Sequence, residues 1–308
     1  MAQDHTAEQR EPREADRPPD AQPPQADLAA RLERLPVGHP SSPYRDDGSR
    51  KPPTPDLSKY ELPIPDEHDF AAEPDSPAED QASIGPDGSW AWKDCRLSPE
   101  ESHAADLGLA KRHDAEGRDA EGNYGDHGLT PAMRRVEAQL DCGALVEHTE
   151  KYALKEPDRF KEKLFELIRD EPDKSVEQHV DEIHDGIRYT FVSDRGDYFR
   201  TVNQATDILK ANGFELGVRK NEWSNDEYKG VNTRWQDYES GCRFEVQFHT
   251  HESWQVKQAT HHAYTRIHDT RTPTDERERL RAYQREISSG LALPADWETI
   301  TNYRKEGW

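Results

Sequence analysis

Two short segments carry the residue types that metal and phosphate chemistry needs. In Arg243-Phe244-Glu245-Val246-Gln247-Phe248-His249-Thr250 the side chains of a strand would alternate between two faces. Phe244, Val246 and Phe248 make an apolar face, while Arg243, Glu245, Gln247 and His249 make a polar one. Upstream, Asp185-Gly186-Ile187-Arg188 sets a carboxylate, a glycine and an arginine at the mouth of a second apolar run, residues 187–192. If the two runs are neighbouring strands, Asp185 and Glu245 converge. Two carboxylates on a rigid sheet suit a hard divalent cation, and magnesium takes one or two protein carboxylates beside substrate phosphates. Plainer readings fit the same residues: a solvated face of an edge strand for Glu245, and a turn cap before a strand for Asp185.

The elements that must position these groups are legible from periodicity. Thr130-Pro131 reads as a helix start, with threonine as N-cap, and the helix runs to about 140. A second helix begins at Pro157, carries Phe160, Leu164, Leu167 and Ile168 as its apolar stripe, and ends before Pro172. Residues 187–192 are β-branched and aromatic, as a strand requires. A helix over 198–211 is closed by Asn212-Gly213. Strands follow over 214–218, 229–235 and 243–250, then helices over 252–267 and 273–288. This order predicts an α/β (α+β) domain over 131–308, with a mixed sheet of about four strands flanked by helices.

Composition separates this domain from what precedes it. The chain has 308 residues, of which 32% are apolar, against about 45–50% in an ordinary globular domain. Sixteen of its 22 prolines lie in residues 1–90. Residues 1–85 therefore read as a long disordered, proline-rich acidic region with one short helix near 27–35, and 86–130 as a partly ordered linker. The formal charge is −22, and residues 131–308 hold 34 acidic against 27 basic residues. That excess excludes the basic face of a DNA binder, so phosphate binding needs a local cationic cluster. The N-terminus has no apolar signal core and no run of 18 apolar residues occurs, so neither secretion by signal peptide nor a membrane span is expected. Cys95, Cys142 and Cys242 have no metal-ligand spacing. A cytoplasmic location is the expectation, with signal-independent export left open. His249, His251, His261 and His262 are zinc-ligand types, but the last two are helix neighbours pointing about 100° apart.

Four segments in order resemble the synthetase domain of the RelA/SpoT family. Asp185-Gly186-Ile187-Arg188 is similar to the segment that opens that family's catalytic sheet, and Glu245-Val246-Gln247-Phe248-His249-Thr250 to its glutamate strand. Tyr228-Lys229-Gly230-Val231-Asn232 matches its tyrosine segment, with Glu227 where the family has glycine. Leu154-Lys155-Glu156-Pro157-Asp158-Arg159 through Lys163-Leu164 resembles its basic helix. The likeness covers about residues 131–270. It implies a nucleotidyltransferase-like fold and a transfer of pyrophosphate from ATP to a purine nucleotide 3′-hydroxyl, giving a (p)ppGpp- or (p)ppApp-type alarmone and AMP.

The resemblance also implies roles. Asp185 and Glu245 would hold Mg2+, with Glu245 as base. Lys155, Lys163, Arg188 and Arg159 would grip ATP. Tyr228 would stack on the acceptor base, with Lys229, Asn232, Gln247 and His249 around it. Departures stand at Ala153, where the family's leading arginine falls, at Arg159 in place of serine, and at His249 in place of arginine. A toxin-like enzyme acting on adenine nucleotides or the tRNA 3′ end, and a non-catalytic nucleotide-binding module, are the alternatives. Lys257 and Tyr264 are seven apart and share a helical face; such residues reach a nucleotide or simply face solvent.

Overall fold

In the computed structural model, residues 81–119 and 122–308 are described. The readings for 1–80, including the short helix near 27–35, lie outside them. The strand read at 187–192 is β5 (Arg188–Ser193), buried along almost its whole length. It pairs in parallel with β8 (Arg243–Thr250). A parallel pair needs a crossover, and the chain between them supplies α6 (Tyr198–Ala211), β6 (Phe214–Asn221) and β7 (Val231–Asp237). With the two-residue edges β4 (Ala144–Leu145) and β9 (Tyr303–Arg304), the sheet order is β4-β5-β8-β7-β6-β9. Only β5 and β8 run parallel; every other pairing is antiparallel. The sheet is mixed, with four long central strands, as the periodicity predicts.

One face of the sheet is a conventional core. Tyr189 and Phe191 of β5, Phe244, Val246 and Phe248 of β8, and Val231 and Trp235 of β7 are all buried there. The apolar stripe of α6 (Tyr198, Val202, Ala205, Leu209) covers them, together with Met133 and Val136 of α2 (Leu129–Gln139). Thr130 does not cap α2. The helix begins at Leu129 behind Gly128, and the Thr130 hydroxyl meets Tyr189 Oη at 2.8 Å. The capping oxygen is spent on a buried tyrosine that would otherwise lack a partner.

A second core forms where a partly ordered linker was expected. Strands β1 (Ser83–Ile84), β2 (Trp90–Trp92) and β3 (Cys95–Leu97) make a small antiparallel sheet. Helix α1 (Pro99–Glu116) follows, opened by a capping box between Ser98 and Glu101. Trp90, Trp92, Leu97 and Ala105 pack on Phe160 and Leu164 of α4 (Pro157–Asp170) and on Val180 of α5 (Val176–Glu182). Between α2 and α4 lies the single turn α3 (Thr149–Tyr152).

After β8 the expected helix over 252–267 is two helices, α7 (His251–Ala259) and α8 (His261–His268). The break falls at Thr260, whose hydroxyl donates back to the Val256 carbonyl at 2.8 Å, a bond known to bend helices. Helix α9 (Thr274–Ser289) then packs on α8 through Ala263, Ile267, Leu280, Tyr283 and Ile287. Among the described residues no helix is long and apolar enough to cross a membrane.

Candidate active site

The strand register writes the site in rows on the other face of the sheet. Arg188, Glu245 and Arg234 lie side by side on β5, β8 and β7. Thr190, Gln247 and Asn232 form the next row. Asp185 enters from a 3-10 turn, His184–Gly186, immediately before β5. Backbone bonds fix this turn to the sheet and to the segment before α4. Glu245 N–H donates to Ile187 O at 2.9 Å, Arg188 N–H to Ala153 O at 2.8 Å, and Lys155 N–H to Gly186 O at 3.1 Å. The two carboxylates and Lys155 are therefore brought together by main-chain geometry.

Behind the turn stands Arg112 of α1, which is 2% exposed. Its guanidinium donates to the carbonyls of Val180 (2.7 Å), Ile183 (2.8 Å) and Gly108 (3.0 Å), and lies over the Phe160 ring at 4.8 Å. A Cβ on Gly186 would come within 2.4 Å of Arg112 Nε, so glycine is required for that close approach.

The two carboxylates are held in opposite electrostatic conditions. Lys155 Nζ sits 3.1 Å from Asp185 Oδ2. Burial works to raise the Asp185 carboxyl, yet the Lys155 and Arg188 charges outweigh it and hold the group at about 2. Glu245 is pushed up, by burial first and with Asp185 adding repulsion, against the opposing pull of Arg188. Its carboxylate accepts from the Gln247 amide, and Gln247 Oε1 accepts from Lys257 Nζ at 2.6 Å. Lys257 lies over the Trp254 ring at 4.6 Å. Burial and Arg188 push its ammonium well below the usual lysine value. Lys163 is raised: burial opposes its charge, but Glu166, at 3.3 Å, and the field of Asp185 favour it.

Further along β8 a second polar row is closed on itself. The Tyr228 hydroxyl donates to Asn232 Oδ1 at 2.7 Å and lies 2.9 Å from His249 Nε2. His249 Nδ1 is 3.0 Å from Ser253 Oγ. One proton assignment satisfies the row: Ser253 donates to His249, His249 to Tyr228, Tyr228 to Asn232. Burial and the Lys257 charge keep His249 neutral, which that assignment needs.

Two expected members lie elsewhere. Lys229 turns its ammonium to the Trp223 carbonyl at 2.9 Å. Arg159 pairs with Glu162 at 3.0 Å and lies over the Trp92 ring at 4.9 Å. Two cations enter that sequence reading did not place. The sequence leaves Lys257 between solvent and nucleotide and gives Arg234 no role. The signal for Arg234 is strand alternation, since it shares a face with Asn232. Tyr264 is 52% exposed, with its ring against His268 at 4.2 Å.

Among the described residues no group of three or more His, Cys, Asp or Glu side chains could hold a metal alone. His249 is committed to Tyr228 and Ser253, and His251 lies 3.8 Å from Asp194. Asp185 and Glu245 supply a two-carboxylate oxygen set. That set fits a cation which takes its other ligands from phosphate and water, as magnesium does.

No known family profile matches the chain, and no curated protein matches it. Among solved structures it is similar to small alarmone synthetase 1 from Bacillus subtilis, at 11% identity over 60% of this chain and 90% of that one, with a TM-score of 0.38. The same synthetase bound to its product pppGpp aligns at 13% identity over 44% of this chain and 69% of that one, TM-score 0.31. A GTP pyrophosphokinase family protein from Streptococcus pneumoniae aligns at 14% identity over 40% of this chain and 65% of that one, TM-score 0.27. Likeness at this level assigns no activity, so the residues of the site must do so.

Proposed function

We propose that the chain is a pyrophosphokinase, moving pyrophosphate from ATP to the 3′-hydroxyl of a purine nucleotide and releasing AMP. The observation that carries this reading is the Asp185–Glu245 pair set among Lys155, Lys163, Arg188, Arg234 and Lys257 on one sheet face. A cluster rich in cations around two carboxylates suits a polyphosphate bound with a divalent ion. It does not suit a neutral substrate, which would leave the cations uncompensated.

Asp185 and Glu245 would hold magnesium, which when bound neutralises charge on the transferred phosphates. The remaining work falls to the chain. Lys155, Lys163 and Arg188 draw the β- and γ-phosphates towards Asp185. Glu245 accepts the proton of the 3′-hydroxyl as its oxygen attacks the β-phosphorus. The bond between the β-phosphorus and the α–β bridging oxygen breaks, and AMP leaves with that oxygen. A carboxyl raised by burial is a better base near neutral pH than an ordinary glutamate. The Gln247 amide, held in turn by Lys257, fixes its rotamer. Tyr228, tied by Asn232 and His249, offers its ring to the acceptor base, a contact worth about 1–3 kcal/mol where aromatic rings stack on bases.

The test is incubation with ATP, magnesium and, in separate reactions, GDP, GTP, ADP or ATP as acceptor. The reading predicts stoichiometric AMP and a 3′-pyrophosphorylated product with at least one of them. No AMP with any acceptor refutes it.

A further inference from the structure

We propose that Trp308 is a positioning residue for Asp185, acting through the ring of His184; this rests on the pyrophosphokinase reading of the site. The turn that carries Asp185 is weakly built by itself. Its closing bond, Gly186 N–H to Ile183 O, is 3.4 Å long, beyond the usual range for an N–H donor. Besides the backbone bond from Lys155 N–H to Gly186 O at 3.1 Å, side chains from outside support it. Arg112 braces one side through the Ile183 and Val180 carbonyls. On the other side the Trp308 indole stacks on His184, with centroids 5.6 Å apart and planes 24° from parallel.

The indole is itself firmly seated. The Arg243 guanidinium lies over it at 4.6 Å. A Cβ on Gly217 would fall within 2.0 Å of the ring, so the indole rests on the bare backbone of β6 and only glycine leaves room for it. The segment that delivers Trp308 is tied to the same strand. Arg304 pairs with Val218 on β6, and Lys305 N–H donates to Gly217 O at 2.8 Å. Arg219 Nε donates to Thr301 O at 2.8 Å, and the Arg304 guanidinium to Trp308 O at 2.6 Å. Sheet edge, indole, His184 and Asp185 thus form one chain of contacts, running from β6 to the carboxylate that pairs with Lys155.

His184 and Asp185 are consecutive, so a shift of one ring moves the other side chain. Misplacement by about 1 Å costs up to about 100-fold in rate. Trp308 contacts His184, Arg243 and the Gly217 backbone, and none of these is given a role in binding ATP or the acceptor. Loss of the indole should therefore lower kcat far more than it raises KM.

The experiment compares wild type with Trp308→Ala, Trp308→Phe and Gly217→Ala. Each is assayed for AMP release and for amide hydrogen exchange at residues 183–188. We expect Trp308→Ala to lose about 10- to 100-fold in kcat with KM for ATP within about twofold, and Trp308→Phe to recover most of it. Gly217→Ala, which displaces the ring, should resemble Trp308→Ala. Exchange at residues 183–188 should quicken in both while β8 amides keep their protection. Wild-type kcat in Trp308→Ala, a rise in kcat, or unchanged exchange overturns the proposal. A rise would make the ring a cover over the site instead of a brace. If wild type releases no AMP, the functional reading fails by itself, and the exchange measurement still decides whether Trp308 braces the turn.

Discussion

At the scale of residues, Asp185 and Glu245 are the same chemical group placed in two electrostatic conditions. Asp185 is held at about 2 against an ordinary value of 3.8, because Lys155 and Arg188 outweigh its burial. A carboxyl lowered by folding contributes stability that is present above 3.8 and lost as pH falls towards about 2. In urea unfolding, the stability difference between wild type and Asp185→Asn should therefore narrow across that window; a difference independent of pH contradicts the ion pair. Glu245 is raised above its ordinary 4.5, mainly by burial, and Lys257 is among the charges that restrain the rise. Removing that cation should let the carboxyl rise further. Lys257→Met is expected to move the acid limb of the kcat/KM profile to higher pH; an unmoved limb would separate Lys257 from Glu245. Glu245, Gln247 and His249 were legible because a strand with one apolar face must put its polar residues together. Lys257 was not, since a lysine on a helix gives no sign of whether it faces solvent or a carboxamide.

At the scale of elements, the long central strands and α6 were legible because their apolar residues repeat at the strand or helix period. Helix α1 was not. Its buried positions are Ser102, Ala105, Gly108, Arg112, Ala115 and Glu116, correctly spaced for a helix but small or charged, while Leu107 points outward at 59% exposure. Small residues let α1 approach α4 and α5 closely, and the buried arginine serves the Asp185 turn instead of a core. A hydrophobic pattern records neither. The stripe of α4 is legible in the sequence, but its partner is not: Phe160 packs with Trp90 and Trp92 of the small sheet. Phe160→Ala should cost about 3–5 kcal/mol in urea unfolding. A cost below about 1 kcal/mol would mean the small sheet and α1 are not cooperative with the six-stranded sheet. The division of α7 from α8 at Thr260 also escaped sequence reading, because a threonine is compatible with a continuous helix until its hydroxyl bonds the preceding turn.

At the scale of the whole molecule, a chain of net charge −22 concentrates Lys155, Lys163, Arg188, Arg234 and Lys257 at one place. Such a local cluster accommodates the few phosphates of a mononucleotide. A long polyanion such as tRNA would need a continuous basic path, because each neutralised phosphate adds to its affinity. Free purine nucleotides should accordingly outcompete tRNA as acceptor when both are supplied at equal concentration and moderate salt. Label appearing mainly at the tRNA 3′ end would contradict this. On the proposed reading, Asp185 and Glu245 together make the site a pyrophosphokinase. That reading is tested most directly by AMP release from ATP and magnesium with a purine nucleotide acceptor, in wild type, Asp185→Asn and Glu245→Gln, each checked for native circular dichroism. Wild type should give AMP and a 3′-pyrophosphorylated product, and each folded variant should lose at least about 100-fold. Equal rates in all three proteins, or no AMP from wild type with any acceptor, would contradict that reading.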